Sequence, residues 1–265
     1  MNNQIKRLFG PLLGFAALFG MALVYYATTA GPGVGGDATI YLTSAKNLIL
    51  GKGLGWMDAD GSFRLLPYTP PFYPLLLSLV GLFGDMAAGA RFLNLILFGS
   101  TVIFTGLSFS RFTGQPWFGA ILGGLLAASP VLLGVQVWAM SEPLFLFLGF
   151  SGLLVLLNYL DSGRRRDLLA SALLCGLAFL TRYMGAAFIA TAGLALFLFG
   201  RGEDRRFKLS IGRRELVEAV PFGVVSILPI LAWFIVDLSI TGTLGSRSGQ
   251  PAAAYWQRFL EMGPA

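Results

Sequence analysis

Seven long apolar stretches dominate this chain, and most of them carry no charge between their ends. They cover residues 8–29, 87–110, 117–137, 143–160, 168–181, 184–200 and 217–236. A helix that crosses the hydrocarbon core of a bilayer needs roughly 20 such residues. The stretches therefore predict an all-α fold, a polytopic transmembrane helical bundle of about seven spans, forming one membrane domain over residues 1–265. Only 12% of the residues are charged, where a soluble domain carries about a quarter. A water-soluble globule, a disordered chain and a coiled coil are excluded on that ground.

The first stretch follows Lys6 and Arg7, which is also how a signal peptide begins. Its length, the lack of a small-x-small cleavage site and the later spans favour an anchored helix. Residues 168–200 form one apolar run broken by a single charge, Arg182. As one straight helix it would be about 50 Å long, more than a bilayer requires. A hairpin turning at Thr181-Arg182-Tyr183 places Arg164, Arg165 and Arg166 on the same side as the basic loop 201–216. With the N-terminus in the cytoplasm, 12 of the 19 basic residues fall inside, as the positive-inside rule requires. The net charge of +6 thus reads as topology, with no nucleic-acid partner implied. The expected location is a multi-pass protein of the plasma or inner membrane.

Residues 30–86 are the one long connection, and this topology puts them outside. A connection of that length is usually functional or carries its own structure. Residues 38–50 have helical spacing, with Tyr41, Ala45 and Leu48 on one face, and Gly51, Gly53 and Gly55 end the helix. A stiff aromatic and proline-rich stretch follows, with Tyr68 and Tyr73 in it, and then a short apolar segment, 75–83, suited to the membrane surface. A further outer segment spans residues 241–265 and includes the stretch 255–262. Asp58 and Asp60 resemble a fragment of a calcium loop, but the other ligands are missing and a polar turn accounts for them. Asp85 is placed to cap the second span.

Three ionisable residues flank spans on the outer side: Asp37, Glu142 and Arg182. Charge at membrane depth is costly unless paired or functional. Two acids and an arginine facing one region suit an anionic lipid headgroup, with the arginine on a phosphate and the acids handling a proton or a divalent cation. Each residue also has a plainer reading. Asp37 would N-cap its helix, Glu142 would complement a helix dipole, Arg182 would snorkel, and the tyrosines would form an interfacial belt. The absence of histidine removes histidine metal sites, histidine bases and Ser-His-Asp triads, and the one cysteine, Cys175, rules out an intramolecular disulfide.

The order of the motifs is more specific than any one of them. Gly36-Asp37-x-x-x-Tyr41-x-x-x-Ala45-x-x-Leu48 is followed by Gly51-x-Gly53 and Tyr68-Thr69-Pro70-Pro71-Phe72-Tyr73-Pro74-Leu75. Ala90-Arg91-Phe92-Leu93-Asn94, Ser141-Glu142-Pro143-Leu144 and Leu180-Thr181-Arg182 complete the series. This set resembles the N-terminal half of the polytopic family C glycosyltransferases, in the branch related to protein O-mannosyltransferases, aminoarabinose transferases and rhizobial core-sugar transferases. The resemblance covers about residues 8–200. Relatives in that branch continue into further spans and usually a C-terminal outer domain, so the resemblance implies a fragment, a truncated gene product or one half of a split protein.

The resemblance implies an inverting transferase that takes a sugar from a polyprenyl-phosphate donor on the outer face of the membrane. The acceptor would be a hydroxyl of a lipid, glycan or protein. Asp37 and Glu142 would be the catalytic acids, and Arg182, Tyr41, Tyr68 and Tyr73 would bind substrate. No cofactor is implied beyond the divalent cation that two acids could hold. The competing classes are a transporter or lipid flippase, which predicts inverted repeats and polar groups at mid-span, and a non-catalytic membrane protein, which predicts scattered acids.

Overall fold

The computed structural model describes residues 3–57, 61–65, 69–199 and 212–241. Tyr68, Asp58 and Asp60, most of the basic loop 201–216, and residues 242–265 with the segment 255–262 lie outside the described residues. Helix α1 spans Asn3–Ala27 and α2 spans Asp37–Ile49. A small antiparallel hairpin follows, β1 (Gly55–Met57) against β2 (Phe63–Leu65). Then come α3 (Phe72–Gly81), α4 (Met86–Thr113), α5 (Pro116–Ala127), α6 (Pro130–Gln136) and α7 (Glu142–Ser162). The chain continues through α8 (Arg165–Thr181), a short 3-10 turn (Tyr183–Gly185), α9 (Ala186–Leu198) and α10 (Arg213–Thr241).

The molecule is an all-α membrane bundle, and each expected apolar stretch is helical. Among the described residues, four segments are long and apolar enough to cross a bilayer: Leu8–Ala27, Met86–Thr113, Glu142–Ser162 and Glu215–Ile240. The expected span 117–137 is two helices, α5 and α6, bent by 58°. Ser129 and Pro130 explain the break. Proline cannot donate to a continuing helix, and the Ser129 hydroxyl accepts from Leu132 N (3.4 Å) to start a new one. The two remaining stretches form α8 and α9, which are shorter. They fold back at Arg182, whose extended backbone (φ −149°, ψ 135°) ends α8, so the hairpin stands where the charge pattern requires it. Asp85 caps α4 through Ala87 N (3.3 Å), as expected.

Three apolar clusters hold the bundle. One joins α1, α4 and α5 around Leu13, Phe98 and Val102. A second joins α7, α8, α9 and α10 around Tyr159, Cys175 and Leu196. The third, around Tyr41, Tyr73, Leu77 and Leu148, packs α2 and α3 onto α4, α7 and α8. The segment 75–83 therefore does not stand alone. It is most of α3, whose Tyr73, Pro74 and Leu77 are buried in the protein.

Close approach of backbones in the second cluster depends on glycine. A Cβ on Gly176 would lie 2.7 Å from the Ser226 carbonyl oxygen, and one on Gly152 would lie 2.7 Å from Cys175 Sγ. In lipid, where apolar tails compete equally for apolar surface, such small-residue contacts are what bring helices together. Many large side chains, among them Phe15, Leu18, Leu125, Leu228 and Ile235, point outward from α1, α5 and α10. That outward apolar surface is the one a bilayer covers. We expect Gly176→Val to destabilise the detergent-solubilised protein by about 1–3 kcal/mol through overpacking. Gly193→Val, in α9 with no atom within 4 Å of its Cβ position, should leave the thermal melt close to that of the parent chain.

Candidate functional site

The helix ends that gather at one end of the bundle are the C-termini of α1, α6 and α8 and the N-termini of α4 and α7. Arg91 of α4 fixes the first of these. Its Nε donates to Thr28 Oγ1 (2.9 Å), its Nη2 donates to the Tyr25 carbonyl (2.8 Å), and its guanidinium lies 4.1 Å over the Tyr25 ring. The chain leaving α1 then pairs with the chain leaving α6. Gly33 N donates to Val137 O (2.8 Å), and Ala139 N donates to Gly33 O (3.0 Å). The Trp138 ring lies flat against Gly33, where a Cβ would meet it at 2.6 Å. That contact needs a glycine and brings the Asp37 loop beside the start of α7.

Ser141 is the hub of the site. It is fully buried at the N-cap of α7, and its Oγ lies 3.0 Å from the Tyr41 hydroxyl of α2. The same oxygen accepts from Arg182 Nη1 at 3.2 Å. Arg182 Nη1 also pairs with Glu142 Oε1 at 2.7 Å, with each side chain 29% exposed. Tyr73 packs edge-on against Tyr41, ring centroids 5.1 Å apart. Three helices that are remote in sequence, α2, α7 and α8, thus meet through four polar side chains.

Glu142 uses only one of its oxygens in this pair. Its Oε2 is buried and has no hydrogen-bond partner among the described residues, and the same holds for the Tyr73 hydroxyl. Glu142 also lines a cavity of about 410 Å³ with Gly35, Val131, Gly134, Trp138 and Met140. Gly35, two residues before Asp37, lines this cavity, and Asp37 itself does not. Burial pushes the Tyr41 phenol up to about 12. The Ser141 hydrogen bond and the Arg182 charge act against this shift, while the Asp37 and Glu142 carboxylates add to it. Burial, with Tyr41 and Glu142 nearby, raises the Tyr73 phenol as well. Both tyrosines therefore stay neutral at physiological pH and are available as donors.

The structure thus brings together Glu142, Arg182, Tyr41 and Tyr73 of the residues picked out in the sequence. Asp37 is half-buried at the first position of α2, within electrostatic reach of Tyr41. It does not N-cap the helix: Gly36 holds that position, with φ 54°, and makes no side-chain cap. A glycine there is favoured by the positive φ. Arg182 does not simply snorkel, because its head is paired with Glu142. Ser141 was the member missing from the sequence reading. It lay inside the Ser141-Glu142-Pro143-Leu144 motif, and its value comes from a tyrosine 100 residues away. Among the described residues no group of three acidic or cysteine side chains gathers as metal ligands.

Two measurements probe this network. A double-mutant cycle of Glu142→Gln and Arg182→Met should return a coupling of about 1 kcal/mol or more in thermal stability. Tyr41→Phe should cost about 1 kcal/mol at neutral pH through the lost hydrogen bond. The raised Tyr41 phenol keeps its proton in the folded state where the unfolded chain loses it. Its contribution is complete below pH 10 and is lost as pH rises from 10 towards 12. Tyr41→Phe should therefore also reduce the loss of stability over that alkaline range.

The family model described as dolichyl-phosphate-mannose-protein mannosyltransferase matches residues 68–233. No curated protein and no solved structure matches the chain. The match covers more than half of the residues, and it includes Tyr73, Glu142 and Arg182. The chain belongs to this mannosyltransferase family, the glycosyltransferases of the membrane that its ordered motifs resemble.

Proposed function

We propose that this family member transfers a sugar, mannose first among the candidates, from a polyprenyl-phosphate donor to an acceptor hydroxyl at the outer face of the membrane. The observation that carries the reading is the Glu142–Arg182 pair, held by Ser141 and Tyr41 beside a cavity that begins at the Asp37 loop. A carboxylate, an arginine and two neutral phenols meet at one end of the bundle, with Asp37 within electrostatic reach of Tyr41, and a non-catalytic scaffold gives no reason for that.

In this mechanism Asp37 accepts the proton of the acceptor hydroxyl. The freed oxygen attacks the anomeric carbon from the face opposite the phosphate, a new C–O bond forms, and the bond to the phosphate oxygen breaks. Configuration inverts, and the polyprenyl phosphate leaves with the bonding electrons. A carboxylate is a weak base, so its placement within hydrogen-bond reach matters more than its basicity. Glu142, which lines the cavity, orients the acceptor hydroxyl. Arg182 binds Glu142 and Ser141 through Nη1 alone. The rest of its planar guanidinium meets the charge that develops on the leaving phosphate. Tyr73, completely buried, braces Tyr41 edge-on, and Tyr41 holds Ser141 in place. The divalent cation that two acids could hold is left out of this scheme, and no step passes through one.

The test is to supply the purified chain in detergent with polyprenyl-phosphate mannose and an acceptor, and to measure release of free polyprenyl phosphate. Asp37→Asn should lower that release by about a hundredfold or more, the lower range for a lost general base, with normal extraction and melting. Near-parental turnover in Asp37→Asn would sink the assignment of the base. No release by the parent chain with any polyprenyl-phosphate sugar would sink the transferase reading.

A further inference from the structure

The segment between α6 and α7 leads into the site, and partners can be named for its carbonyls at 136–138 and for Ala139 N. The last carbonyls of a helix have no partner within it, and buried ones need a partner from elsewhere. Asn94 of α4 supplies two. Its Nδ2 donates to the Gln136 carbonyl (2.9 Å) and to the Trp138 carbonyl (2.8 Å). Gly33 N takes the Val137 carbonyl between them, and Gly33 O takes Ala139 N. Three successive carbonyls, at residues 136, 137 and 138, are thus fixed in alternation by one side chain and one backbone strand. Asn94 is completely buried. Its own Oδ1 has no partner among the described residues, so the amide contributes as a two-hydrogen donor. Arg91, one turn earlier on the same helix, fixes the end of α1 from which the Gly33 strand departs.

We propose that Asn94 is a positioning residue of the transferase. By clamping the carbonyls of Gln136 and Trp138 it fixes where Ser141 and Glu142 enter α7, and therefore how Glu142 meets Arg182. The side chain touches no reacting atom. It acts through the short run Ala139-Met140-Ser141, so a slip at Trp138 is passed on to the carboxylate. Misplacing a catalytic group by about 1 Å can cost about a hundredfold in rate, whereas the donor's remaining contacts are untouched. The proposal rests on the transferase reading for its effect on turnover, but the clamp itself can be measured without it.

Asn94→Ala, and Asn94→Asp as a variant of equal size without the two N–H donors, are compared with the parent as full chains in detergent. Hydrogen exchange read by mass spectrometry should rise about tenfold in the peptide holding Ala139, with peptides from α8 and α10 unchanged. Turnover of polyprenyl-phosphate mannose, per folded protein, should fall about tenfold or more in kcat with the donor KM within about twofold. Unchanged exchange at Ala139, or a uniform rise along the whole chain, overturns the clamp. A local rise with parental kcat overturns its positioning role. If the parent chain shows no turnover, the transferase reading fails, and the exchange pattern alone still decides whether Asn94 holds this segment.

Discussion

The ion pair between Glu142 and Arg182 is the contact around which this end of the bundle is organised. Each partner is less than one-third exposed, so each would be costly to bury alone. Meeting at 2.7 Å with Ser141 alongside, the two charges offset one another's desolvation. The first residue of α7 and the residue that ends α8 must therefore come together. That requirement fixes the turn into α9, the entry of the chain into α7 and, through Tyr41, the seat of α2. Removing either charge leaves the other stranded, which is why the pair is both a structural joint and a chemical resource.

The rest of the bundle serves that joint by other means. Glycines let α8 lie directly on α7 and α10, so the helix that ends at Arg182 is held on two sides. Polar side chains satisfy the irregular backbone where helices stop. Arg91 takes the end of α1 and Asn94 takes the end of α6, while the Ser171 hydroxyl ties α8 to the middle of α7 through the Gly152 carbonyl (2.8 Å). In a bilayer no water reaches such groups, and irregular backbone is tolerated only where protein covers it. The bend at Ser129-Pro130 belongs to the same logic, since it delivers the end of α6 to Asn94 and Gly33.

Much of this was legible in the sequence, because it is set by local chemistry. The apolar runs, a helix expected over residues 38–50 and found over Asp37–Ile49, the Asp85 cap and the hairpin at Arg182 follow from periodicity, capping and charge placement. That Glu142 and Arg182 face one region followed less directly, from the cost of charge at membrane depth; their direct pairing did not, because the sequence reading sends Arg182 to a phosphate. What could not be read is what depends on partners far apart in the chain. Ser141 and Asn94 look like ordinary small polar residues until Tyr41, Arg182 and the 136–138 carbonyls are placed around them. The β1–β2 hairpin pairs only three residues on each strand, too few for alternation to show. The span over 117–137 reads as continuous because a bend between two apolar helices leaves overall hydropathy unchanged.

Cys175 has a practical consequence of another kind. It is the chain's one thiol, fully buried in the seam where α8 meets Gly152 of α7. Bulky alkylating reagents and spin labels have no route to a sulfur sealed in this way. Cysteines introduced into the connections at either end of the bundle can thus be labelled selectively without first removing the native one. The native sequence is already a clean background for mapping sidedness and distances by thiol chemistry.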